Sequence, residues 1–257
     1  MKVINSRKLN SAELMDLIIQ ALDEKRQLSV ISAGATEAYV MAQYTVLSEE
    51  EFMSHPEAFV ANQGVKSGFH HRGVRFPNVQ LRDDAVEAVR KADVVGYNTL
   101  VEDARCITER VFQAYGIEPT YIYDSYLRRV FMISQRKKYE QMLAGRRILL
   151  VGSTADDAKD ALNRDLQARL GFDIVGAIQI YEYEDIPEVK RQIDAHEFDL
   201  CLISAGTNAM ILASYISTAH GKVAFDIGFG MTTLYTGAIF GDAWLNEYIG
   251  LDNLMKM

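Results

Sequence analysis

Apolar runs and amphipathic stretches alternate along the chain. Leu14, Leu17, Ile18, Ala21 and Leu22 recur at helical spacing within residues 10–26. Asn10 with Glu13 three residues later has the pattern of a capping box at the start of that helix. Leu28 to Ala33 is a short apolar run with two β-branched residues, the signature of a strand buried on both faces. Small residues follow at Ala33, Gly34 and Ala35. Val40, Met41, Tyr44 and Leu47 then predict a helix over residues 37–47. Ser48 and Glu51 give a second box, opening a short helix or turn that ends near His55-Pro56.

The alternation continues beyond residue 82. Helices are predicted over 83–91, over 102–115 with Gly116 as its stop, and from about 125 to 143. Strands are predicted over 93–98 and 119–124. The second half reads more cleanly: strands at 148–154, 173–181, 198–204 and 223–228 are separated by helices. One of these helices ends at Gly171, one starts at Pro187, and one runs from Ala209 to His220 before Gly221. Such alternation implies a single α/β domain over residues 1–257, with a mostly parallel sheet and helices on both faces. Residues 28–33, 148–152, 200–204 and 223–226 are expected as its central strands.

Composition narrows the function classes. A chain of 257 residues, 49% hydrophobic, suffices for a sizeable core. Its formal net charge of -8 argues against duplex nucleic acid as a partner, since phosphate backbones need a basic field. Cys106 and Cys201 lie far apart without a CxxC pattern, as expected of reduced thiols in the cytoplasm. No apolar run approaches the ~18 residues of a membrane span, and the first residues contain no apolar signal core.

Three stretches carry candidate chemistry. The first is the turn after Ala33, where missing bulk lets a ligand approach backbone N–H groups at a helix start. Glu37 sits in that first helical turn. It is suited either to a divalent cation that bridges to phosphate or to simple complementation of the helix dipole. The second is Asn62 to Asn78, with three Gly, three basic residues, a His pair and no acid. It reads either as an anion-binding loop, with Arg72 or Arg75 as a bidentate donor, or as an ordinary surface loop. The third is the small-residue turn Ser204-Ala205-Gly206-Thr207-Asn208, beside Asp226-Ile227-Gly228 at the expected carboxyl edge of the sheet. Asp226 is either a ligand-orienting acid or a turn-holding carboxylate. Gly152 follows a strand without any GxGxxG pattern, a weak dinucleotide signal.

These stretches together resemble bacterial glycosyltransferases of the GT-D fold over most of residues 28–235. Those enzymes begin with a strand ending in Arg-hydrophobic-Gly-Asp-Gly-Glu. Here the residues read Ser32-Ala33-Gly34-Ala35-Thr36-Glu37. Gly34 and Glu37 match, Ser32 replaces the arginine, and Ala35 replaces the first acid. Tyr121 to Arg129 resembles the family's cleft-facing central segment, and Asp226-Ile227-Gly228 its late Asp-Ile-Gly strand end. The resemblance implies hexose transfer from a UDP-sugar to a hydroxyl of a glycan or protein-linked sugar, with Mn²⁺ or Mg²⁺. By it, Glu37 and Asp226 are the catalytic candidates and Glu37 the metal ligand. Gly34, Thr36, Arg72, Arg75, Ser204 and Gly206 surround the donor. Two other readings stand beside it: a catalytically degenerate binder of nucleotide, sugar or partner, and a dinucleotide- or S-adenosylmethionine-binding enzyme centred on Gly152. Residues 236–257 lie outside the resemblance, as a docking segment or a homo-oligomer contact.

Overall fold

A computed structural model describes residues 6–63, 73–239 and 241–257. In chain order the elements begin with β1 (Arg7–Lys8), α1 (Ser11–Asp23), β2 (Leu28–Ala33), α2 (Ala35–Ala42), α3 (Glu49–Ser54) and α4 (Pro56–Gln63). Next come α5 (Val79–Lys91), β3 (Val94–Tyr97), α6 (Glu102–Tyr115) and β4 (Tyr121–Asp124). A 3₁₀ turn (Ser125–Arg129) leads into α7 (Phe131–Ser134), α8 (Arg136–Leu143), β5 (Arg147–Gly152) and α9 (Ala155–Leu162). After a π-turn (Asn163–Gln167) come α10 (Ala168–Leu170), β6 (Asp173–Ile178), α11 (Ile186–Asp194), β7 (Leu200–Ser204) and α12 (Asn208–His220). The chain closes with β8 (Val223–Asp226), α13 (Gly230–Thr236), α14 (Asp242–Tyr248) and α15 (Leu251–Lys256).

The strands form one parallel sheet in the order β1-β4-β3-β2-β8-β7-β5-β6. The four strands expected at the centre are therefore neighbours. Their apolar runs are explained by burial on both sides: Ile31 and Ala33 face one core, Leu28 and Val30 the other. The first core takes α2, α5, α6, α11 and α12; the second takes α1, α7, α8, α9, α13 and α15. Leu245 and Leu254 bring the C-terminal helices onto the second layer, and the Met257 carbonyl accepts the Ser11 N–H at 2.8 Å.

Local signals set several ends. The Asn10–Glu13 box forms as expected, as does that of Ser48 and Glu51. The helix expected to reach residue 47 stops at Ala42. There the Gln43 carbonyl accepts from Arg82 Nη1 at 3.1 Å, its Oε1 accepts the Asn78 N–H at 2.8 Å, and Tyr44 turns left-handed. The helix expected over 125–143 is broken for a related reason. The buried Asp124 carboxylate accepts the Tyr126 N–H at 3.0 Å, together with the Thr99 N–H at 2.9 Å and hydroxyl at 2.7 Å. That clamp favours a tight turn after β4 over a helix.

Two features of this topology position ligands. The chain leaving β2 turns to the first layer through α2, whereas its neighbour β8 sends its chain to the second layer through α13. The adjacent strands β5 and β7 diverge likewise, through α9 and α12. Crevices outside the carboxyl ends of such diverging strands are where open α/β sheets take ligands. Cys106 is exposed and Cys201 buried, both as free thiols. No described helix is long and apolar enough to cross a membrane.

Candidate functional site

At the β2/β8 crevice the first turn of α2 meets the end of β8. Gly34 is the N-cap of α2, in extended conformation and without a side-chain cap. The first N–H groups of the helix therefore face outward. Glu37, one turn in, is buried at 7% exposure. Its carboxylate folds back over Gly34: a Cβ there would lie 2.7 Å from Glu37 Oε2 and 3.7 Å from Arg128 Nη2. Thr36 donates its hydroxyl to Glu57 at 3.2 Å, linking this turn to α4.

Asp226 ends β8 and is 1% exposed. Its Oδ2 accepts from Arg128 Nη1 at 3.0 Å, and its Oδ1 accepts the Gly228 N–H at 3.0 Å. Burial pushes its carboxyl up to about 6, with Arg128 opposing and Glu37 reinforcing the shift. Burial works against the charge on Arg128, but Asp226 and Glu37 outweigh it and hold the guanidinium above its ordinary value. Both members of the pair are thus charged at neutral pH.

Arg128 is not among the site residues expected from sequence, because nothing local within Tyr121 to Arg129 distinguishes it from Arg129. The structure separates them. Arg128 points into the crevice. Arg129 is held over the rings of Tyr126 and Phe229, 5.4 and 5.1 Å from their centroids. Burial and the neighbouring Arg128 lower Arg129 to about 10. Below Arg128, Tyr123 is fully buried across from Gly96, where a Cβ would fall 2.4 Å from its ring. Ser32 is also fully buried, with its side chain beside that of Tyr123.

The remaining candidates lie apart from this cluster or at its border. Arg75 Nη1 donates to the Ala61 carbonyl, and Nη2 lies 3.6 Å from Glu182 Oε1. Arg72 lies outside the described residues, with Lys66, His70 and His71. The described end of that basic stretch reaches the carboxyl edge: Gly73 accepts at its carbonyl from Asn208 Nδ2 at 3.0 Å. Ser204 and Gly206 belong to the second crevice, between β5 and β7. There Gly152 is required by packing, because a Cβ would stand 2.4 Å from the Ser204 carbonyl oxygen.

Among the described residues no three His, Cys, Asp or Glu side chains converge enough to cage a metal. Glu37 is the buried carboxylate at the start of α2. Both Asp226 oxygens are already hydrogen-bonded, one of them to Arg128.

An open parallel sheet with a charged cluster at its topological switch point defines a doubly wound α/β protein. The sequence profile of the GT-D fold-like domain matches residues 9–234, and the chain belongs to that family. A solved structure of the highly conserved domain of unknown function 1792, described as having a distinct glycosyltransferase fold, aligns with a TM-score of 0.60. That alignment covers 92% of this chain and 84% of the other at 15% identity, a likeness of fold. No curated protein matches the chain.

Proposed function

We propose that the protein transfers a hexose from a UDP-sugar to a hydroxyl of a glycan or protein-linked sugar, in the cytoplasm. One observation carries the reading: Glu37, Arg128 and Asp226 meet at the start of α2, in the crevice where the sheet switches direction. In such a transfer the anomeric carbon exchanges its bond to the diphosphate for one to the acceptor oxygen. Negative charge collects on the departing diphosphate, and the acceptor loses its proton. A divalent cation, when bound, would neutralise part of that charge.

This chain's residues supply the rest. Glu37 would hold the cation. The N–H groups at Gly34 to Thr36 face the diphosphate, favoured there by the helix dipole. Arg72 and Arg75 are candidates for the loop that borders the donor. Holding donor and acceptor in reacting geometry provides much of the acceleration, because little covalent help is needed.

Ala35 favours a second reading, a binder without transfer. The family pattern has an acid at that position, and one carboxylate holds a cation weakly. Thermal-shift measurements with UDP, UDP-hexoses, NAD and S-adenosylmethionine, with and without Mn²⁺, test both readings. A ligand at about 100 times its dissociation constant adds about 2.7 kcal/mol. Manganese-dependent stabilisation by the UDP-sugar, followed by sugar transfer, supports the enzyme. Stabilisation without turnover supports the binder. Stabilisation only by NAD or S-adenosylmethionine overturns both.

A further inference from the structure

We infer that Arg128 grips the diphosphate of the donor, and that Asp226 is the positioning residue that aims it; the inference rests on the nucleotide-sugar reading above. The fold makes room for this residue, for its side chain at Gly228 and for its backbone at Gly230. A Cβ on Gly228 would lie 2.7 Å from Arg128 Cζ, and Gly228 is left-handed, with φ +45°. A Cβ on Gly230 would lie 2.4 Å from the Arg128 carbonyl oxygen. A Cβ on Gly34 would lie 3.7 Å from Arg128 Nη2, with the Glu37 carboxylate beside it. Three glycines from two elements thus border one arginine.

The hydrogen bonding points the same way. A guanidinium carries five N–H donors in a planar fork. The Asp226 contact uses Nη1, from a side chain 13% exposed, against a carboxylate 2% exposed. A fork held on one edge by a carboxylate presents its other edge in fixed orientation, the geometry that matches two phosphate oxygens. A divalent cation beside Glu37 would add positive charge next to Arg128, and binding is expected to depend on the metal.

The competing role for Arg128 is a structural ion pair tying the turn after β4 to the end of β8. The double variant Arg128→Gln/Asp226→Asn separates the two roles. It replaces the ion pair with an amide pair of similar shape and removes both charges of that pair together. Its folding is checked by circular dichroism melting. Arg128→Lys, which keeps the charge and loses the fork, is the second variant. Binding is read by calorimetric titration of inorganic pyrophosphate, and separately UDP, with Mn²⁺. The wild type is expected to bind pyrophosphate only with Mn²⁺. The double variant should bind about ten- to hundredfold more weakly, with Arg128→Lys between them. Equal affinity in the wild type and a folded variant overturns the inference, as does absence of manganese-dependent pyrophosphate binding by the wild type. If pyrophosphate binds through Arg128 but UDP binds no better, the inference stands and the nucleotide-sugar reading fails.

Discussion

The two crevices at the carboxyl edge of the sheet look alike in sequence and differ in what fills them. Both follow an apolar strand, both contain glycine beside small residues, and both lie where neighbouring strands send their chains to opposite layers. Between β5 and β7 the space at Gly152 is taken by the backbone of the paired strand, since Gly152 and Ser204 are register partners. Between β2 and β8 the space at Gly34 and Gly228 is taken by side chains that carry charge, those of Glu37 and Arg128. A glycine after a strand therefore reports close approach. Only the approaching atom says whether that approach serves packing or ligand chemistry.

The largest expected effect tests the charged crevice. Arg128→Ala leaves Asp226 buried without its cation, a loss of about 3–5 kcal/mol. Urea denaturation reads it, and a loss under 1 kcal/mol would mean the pair is not buried in solution.

The pH dependence of stability comes next. A carboxyl whose folded pKa is raised above its unfolded value holds more protons when folded. Its contribution is complete below about pH 4 and disappears as pH rises through about 6. For Asp226 the decline amounts to up to about 3 kcal/mol, and Asp226→Asn should remove that part of the slope. Melting curves from pH 4 to 7 on both proteins check it. Identical slopes would place the carboxyl in a wetter setting than the β8 end provides.

Gly152→Ala sharpens the contrast from the other side. The added methyl meets the Ser204 carbonyl, at about 1–3 kcal/mol. Affinity for UDP with Mn²⁺ should not change, because this crevice is closed by backbone. A change in affinity with stability unaltered would return the ligand to Gly152.

The smallest stability effects fall at the start of α2. Glu37→Gln forfeits a helix-dipole interaction of about 0.3–1 kcal/mol but should weaken UDP binding with Mn²⁺. Ala35→Asp should tighten it, by restoring a carboxylate two residues from Glu37, and is less stable without metal because like charges repel. Titration of UDP with Mn²⁺ compares wild type and both variants. Equal affinity in all three would reduce Glu37 to a helix-terminus carboxylate.

The sequence by itself determined the alternation of elements, the four central strands, both capping boxes and the left-handed Gly116 stop of α6. These rest on contacts within a few residues or on side-chain periodicity, which local chemistry writes directly. It also placed Gly34, Glu37 and Asp226 at strand ends on one edge. It did not show that Asp226 would hold Arg128, 98 residues away, or that Gly228 and Gly230 would make room for that arginine. Nor did it show the helix after β4 giving way to a turn under the Asp124 clamp. Those outcomes depend on which strands become neighbours. An ion pair, a clash-free cavity and a shared carboxylate exist only once the sheet order has brought distant segments within a few ångströms, and no spacing along the chain encodes that order.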